Sequence, residues 1–155
     1  WDVLGVRDTE TNQADLARAH GLYEKGQFKN ALQIYETIQR QDVENPKILY
    51  FIGCTQAKLA NYDQAVTTLQ AAVNAVNLDT SAHAKTLFML AVVEETRGKL
   101  EAAKAAWSRY KEFAAGHGEA LVFTKSAEAR LQALETKKQL DDQYEAVRAR
   151  INKSK

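Results

Sequence analysis

Gly26–Tyr35 (GQFKNALQIY), Ala60–Leu69 (ANYDQAVTTL) and Gly98–Trp107 (GKLEAAKAAW) are three versions of one phrase. Each opens on a small residue and sets an apolar residue two places on (Phe28, Tyr62, Leu100), an alanine three further (Ala31, Ala65, Ala103) and a bulky apolar residue four beyond that (Tyr35, Leu69, Trp107). The phrases are offset by 34 residues and then by 38. A fixed period of that size marks a solenoid, whose units cannot bury an apolar face alone and stack on their neighbours. The chain therefore reads as a docking surface rather than a catalyst.

Working outward, composition agrees with a helical domain. The 155 residues suit one domain, and a hydrophobic share of 45% argues against general disorder. One proline and seven glycines leave few turn signals, so helix is favoured nearly throughout. The net charge of +1 offers no field for a phosphate backbone, which excludes nucleic acid as the main partner. No apolar run approaches the roughly 20 residues of a membrane span, so direct membrane insertion is not expected. The single cysteine, Cys54, rules out an intrachain disulfide. That fits a reducing compartment and equally a cysteine-poor exported protein; cytoplasm is favoured over periplasm or envelope, and the compartment stays open. A first residue Trp1 without a leader reads as an excised domain or a processed product.

Residues 1–12 carry Trp1, Val3, Leu4 and Val6 and then a polar run, and read as a non-repeat arm. Leu16, Ala19, Leu22 and Tyr23 begin a helical face that Gly26 ends. Asn45 followed by Pro46 is a helix start, with asparagine accepting from a free amide and proline where its missing N–H costs nothing. Three hairpins result, at about 13–45, 46–80 and 81–115, with the four extra residues of the last step read as a lengthened helix end plus loop. From 119 to 155 a long helix caps the array, Val122, Phe123, Ala127, Leu131 and Leu134 covering the last unit. Its second half sets Leu140, Tyr144, Val147 and Ile151 four, three and four apart, a heptad seam shorter than two heptads.

The pattern resembles the tetratricopeptide repeat, W-x2-L-G-x2-Y then A-x3-F. Leu49, Ile52, Gly53, Ala65 and Leu69 answer to it in the second unit, and Leu87, Leu90, Ala91, Ala103 and Trp107 in the third. The first unit keeps Ala19, Ala31 and Tyr35 in register but has Asp15 and Arg18 at usually apolar places. AWSRY, a polar loop and AEARLQAL also resemble the ending of many bacterial members. The resemblance implies an all-α fold, a right-handed superhelical stack of antiparallel helix hairpins (an α-solenoid) with a long C-terminal helix. Small residues at 19, 53, 91, 31, 65 and 103 would let the paired helices approach closely.

In that family the first helices of successive hairpins line a concave groove. Carried over, Leu16, His20, Tyr23, Tyr50, Cys54, Phe88, Val92 and Glu95 form the inner wall, with Lys47 and Lys85 near one rim and Tyr50 and Phe88 as aromatic anchors. The clamp that some members use for acidic chaperone tails is rejected, because Leu16, His20, Cys54, Lys85 and Met89 occupy its places and only Lys85 agrees. The implied partner is an apolar helix or extended peptide held by a scaffold or assembly factor. A peptide-sensing regulatory domain of a larger protein is the alternative. Homodimerisation is open through the C-terminal helix or the N-terminal arm.

No cofactor, metal or catalytic set is expected. His20, His83 and His117 lie too far apart for a zinc pattern, and Cys54 lacks an orienting acid or amide that would make it a nucleophile with His20. GKL at Gly98 lacks the glycine and hydroxyl of a phosphate loop.

Overall fold

A computed structural model describes residues 2–41, 45–75, 79–117 and 124–153. Seven helices follow in order among them: α1 (Asp2–Glu24), α2 (Phe28–Gln41), α3 (Pro46–Lys58), α4 (Tyr62–Val73), α5 (Thr80–Thr96), α6 (Leu100–Ala115) and α7 (Thr124–Lys153). Pairs α1/α2, α3/α4 and α5/α6 are hairpins, and each second helix also packs on the first helix of the next hairpin. The fold is an α-solenoid.

Each hairpin turns at the opening residue of the repeated phrase. Gly26 and Gly98 take φ of 80° and 79°, and Ala60, which holds the same place, takes 62°. Glycine tolerates that left-handed backbone without a Cβ clash. Helix starts follow the side chains: Asn45 Oδ1 accepts from the Lys47 amide at 3.0 Å, as expected, and Asp79 Oδ1 accepts from the Ala82 amide at 2.8 Å. The 38-residue step is explained by α5, which has 17 residues against 13 in α3. Both end in register, so the extra residues form one more turn at the start of α5.

One boundary differs from the sequence reading. From Asp2 onward the expected arm is the first part of α1. No proline interrupts it, and its polar run is compatible with an unbroken helix. Trp1, Val122 and Phe123 lie outside the described residues.

Packing follows the repeated phrase. Ala19, Ala31, Ala65, Ala91 and Ala103 have no exposed surface, and Tyr35, Leu69 and Trp107 fill the space beside them. Three clusters run along the array: Ala19, Ala31, Tyr35, Ile38, Ile48 and Ile52; then Ala65, Val66, Leu69, Leu90 and Val93; then a third from Val73 and Leu87 through Trp107 and Tyr110 to Ala127 and Leu134 of α7. The middle cluster already mixes residues of the second and third hairpins, which is how a stack shares its interior. Salt bridges Lys104–Glu135 (2.8 Å) and Lys138–Glu101 (3.6 Å) add to the docking of α7 on α6. They are solvent-facing, so they fix the position of α7 more than they stabilise it.

Arg97, at the end of α5, pairs with a buried carboxylate of its own hairpin and an exposed one of the second. Arg97 donates from Nη1 to Asp63 Oδ1 and from Nη2 to Glu94 Oε2, both at 2.7 Å, and Glu94 is only 6% exposed. Replacing Arg97 by Met keeps the stem but strands a buried carboxylate, which we expect to cost about 2 kcal/mol because the site retains one wet edge. Urea unfolding checks this: Glu94→Gln added to Arg97→Met should recover more than half of the loss. No recovery would mean that the guanidinium acts by packing alone.

Candidate functional site

The first helices α1, α3 and α5 bring the predicted wall residues to two adjoining hollows. The inner one, about 210 Å³, is lined by His20 and Tyr23 of α1, Tyr35 of α2, Tyr50, Phe51 and Cys54 of α3, and Met89 of α5. The outer one, about 320 Å³, is lined by Pro46, Lys47, Tyr50 and Phe51 of α3 and by Asp79, Ser81, Ala82 and Lys85 at the start of α5. Tyr50 and Phe51 belong to both, so the hollows form one surface. Its inner end is aromatic and its outer end carries two lysines and one aspartate.

Helix periodicity explains why these side chains converge. Lys47, Tyr50, Phe51 and Cys54 are spaced i, i+3, i+4, i+7 along α3, one stripe of a 3.6-residue helix. Ala82, Lys85 and Met89 repeat the spacing on α5. Ring contacts stiffen the inner wall: His20 meets Phe51 edge-on at 4.5 Å, and Tyr35 stacks on Phe51 at 5.6 Å. His20 Nδ1 and the Tyr35 hydroxyl share a hydrogen bond of 2.5 Å.

Electrostatically the inner hollow is neutral near pH 7. Burial lowers the His20 pKa from 6.5 against the opposing pull of Glu24, so its imidazole is uncharged. Burial, helped by Tyr23 and Cys54, pushes the Tyr35 hydroxyl up to about 12, and burial with Cys54 beside it raises Tyr50 further. The Cys54 thiol is pushed up to about 11, chiefly by burial. A thiol so far from ionisation is a weak nucleophile, so Cys54 acts as a small packing residue. The hollow can hold apolar and aromatic groups and offers hydroxyls at its wall. It offers no poised acid, base or nucleophile.

Four wall residues of the sequence reading are used elsewhere. Leu16 packs on the first core cluster. Phe88 and Val92 pack on the third, with the Phe88 ring edge-on to Trp107 at 5.1 Å and to Tyr110 at 5.6 Å. Glu95 accepts from Trp107 Nε1 at 3.0 Å and pairs with Arg130 of α7 at 3.1 Å. The packing of α6 and α7 on α5 draws Phe88, Val92 and Glu95 into inter-helix contacts, while Leu16 is taken up between α1 and its own neighbours. The Phe88 ring is therefore held by its own fold, and Tyr50 is the aromatic of that register that lines the hollows. Phe51 was missed because a single position per turn was carried over, where the full i, i+3, i+4 stripe would have included it; Tyr35, read only as a core filler of the second helix, reaches the hollow from behind, and Met89 stands at a clamp place that the wall reading did not keep.

The profile of the tetratricopeptide repeat matches residues 22–87, which span the second helix of the first hairpin, the whole second hairpin and the start of the third. Residues 22–87 carry tetratricopeptide repeats. Among solved structures, these repeats are similar to PcrH of Pseudomonas aeruginosa in complex with the chaperone binding region of PopD, at 18% identity and a TM-score of 0.73, covering 84% of this chain and 95% of that one. The Yersinia enterocolitica type III secretion chaperone SycD in complex with a peptide of the translocator YopD is similar at 17% identity and a TM-score of 0.72, with 83% and 95% covered. A type III secretion complex from Aeromonas hydrophila is similar at 18% identity and a TM-score of 0.74, with 88% and 89% covered. At these identities the likeness is one of fold. No curated protein matches in sequence.

Among the described residues no group of His, Cys, Asp and Glu could hold a metal, and no helix is long and apolar enough to cross a membrane.

Proposed function

We propose that the repeats capture a segment of another protein, an amphipathic helix or an extended apolar peptide, in the surface where the two hollows meet at Tyr50 and Phe51. The observation that carries this reading is the neutral aromatic hollow formed by His20, Tyr23, Tyr50, Phe51, Cys54 and Met89, opening beside Lys47 and Lys85. Burying apolar side chains of a partner there supplies affinity, and the two lysines favour an acidic residue at one end of the segment. The PcrH and SycD complexes support the reading, since on the same fold one holds the chaperone binding region of PopD and the other a peptide of the translocator YopD. The role is that of a scaffold or assembly factor, without catalysis.

Peptides of 12 to 16 residues selected by phage display against the folded chain provide the probe. In fluorescence anisotropy, Tyr50→Ala should weaken a selected peptide about 30-fold, the effect of losing one aromatic hot spot. Lys85→Ala, on an exposed side chain, should cost only about threefold. Undiminished binding by a folded Tyr50→Ala protein would remove this surface from the account.

A further inference from the structure

The distal half of α7 runs past the packed array. Ala127 and Leu134 are buried against the third cluster, and Lys138 still reaches Glu101 of α6. From Gln139 to Lys153 every residue is exposed. This half-helix extends about 22 Å, and an isolated helix of that length is marginal in water. Yet it carries four large apolar residues on one stripe: Leu140 (56% exposed), Tyr144 (69%), Val147 (48%) and Ile151 (52%).

Its charges are divided along its length. Asp141, Asp142 and Glu145 occupy the first part, and Arg148, Arg150 and Lys153 the second. Cations near a helix C-terminus are favourable in themselves, but that effect is confined to the last turn and does not account for the acidic first part. A parallel, in-register copy would set acid beside acid and base beside base. An antiparallel copy sets each acidic part against a basic one. In that arrangement the stripe is its own complement, Leu140 meeting Ile151 and Tyr144 meeting Val147 across the two-fold axis, in the manner of a and d positions. Asp141 then flanks Arg148 of the other copy. The Arg148 guanidinium already lies over its own Tyr144 ring, 5.7 Å from the centroid, at the edge of the seam. A membrane surface is a poorer occupant, because this half-helix has no net charge to draw it there.

We propose that α7 pairs residues 139–153 with the same segment of a second copy, antiparallel, to form a two-fold dimer that leaves both peptide-binding surfaces free. The two seams together bury roughly 1,000 Å², the lower end for a specific interface, which implies reversible association in the micromolar range.

Sedimentation equilibrium of the full chain from 5 to 300 µM tests the pairing. The expected result is a monomer–dimer transition that Tyr144→Ser with Val147→Ser shifts at least tenfold upward in concentration. Arg148→Asp alone should weaken it, and adding Asp141→Arg should restore it. Orientation is read by oxidising mixed Tyr144→Cys and Val147→Cys chains, which is clean because Cys54 is buried. Cross-links abundant in the mixture and scarce in either variant alone support the antiparallel pair; self-cross-links in each alone would overturn it. A chain that stays monomeric at 300 µM overturns the proposal, whether or not it binds vesicles of 30% anionic lipid. So does a dimer that survives the seam variants and is lost with Tyr50→Ala, since the tail would then occupy a neighbour's groove.

Discussion

Replacing Trp107 by alanine should lower the free energy of unfolding by about 4 kcal/mol, within the 3–5 kcal/mol typical of deleting a buried large aromatic. The indole is 1% exposed and lies in the cluster that joins α5, α6 and α7. Phe88 and Tyr110 meet it edge-on at 5.1 and 6.3 Å, and its Nε1 donates to Glu95. Alanine would leave a cavity, remove both ring contacts and take one donor from a half-buried carboxylate that keeps Arg130. A stack is stabilised by neighbour interfaces, so the loss should concentrate at the C-terminal end. Urea denaturation followed by circular dichroism should show the midpoint falling. Hydrogen exchange should show α5 to α7 losing protection ahead of α2 and α3. A loss below 1 kcal/mol, or one spread evenly over the array, would contradict a shared interior built around this residue.

Gly53→Val should cost about 3 kcal/mol, for the opposite reason. A Cβ at Gly53 would stand 2.6 Å from Leu69 Cγ and 2.7 Å from Cδ2, and Leu69 is fully buried. Helix propensity offers little relief, since valine is only a few tenths of a kcal/mol better than glycine, so overpacking decides the sign. The matching places in the other hairpins hold Ala19 and Ala91, which share clusters with Tyr35 and Trp107. A flat ring leaves room for a methyl group where the branched Leu69 does not. Gly53→Val with Leu69→Ala should therefore be more stable than the sum of the two losses predicts, by at least 1 kcal/mol. Strict additivity would show that the close approach of α3 and α4 is not what glycine secures.

The fold was legible because its period is written in residue size. Gly26, Ala60 and Gly98 mark the turns, Ala31, Ala65 and Ala103 the close approaches, and Tyr35, Leu69 and Trp107 the fillers. Each works locally, through backbone conformation or the contact between two helices adjacent in sequence. The site was legible only in part. His20, Tyr23, Tyr50 and Cys54 meet in one hollow as their positions imply, with Lys47 and Lys85 beside it. Phe88, Val92 and Glu95 were assigned to the wall, and their true neighbours, Trp107, Tyr110 and Arg130, lie on helices whose approach no spacing within α5 reports.

Sequence by itself determined that helices pair, where each hairpin turns and which faces are apolar, because those properties depend on 3.6-residue periodicity and on backbone preferences within a few residues. Only the tertiary structure decided which apolar residues became core and which stayed open. Tyr50 lines both hollows while the Phe88 ring lies edge-on to Trp107 and Tyr110, although both stand at the same register of their helices, because α6 places those rings against the one and the gap between α1, α3 and α5 leaves room beside the other. Burial is a property of the neighbours a side chain meets, and those neighbours arrive from distant parts of the chain.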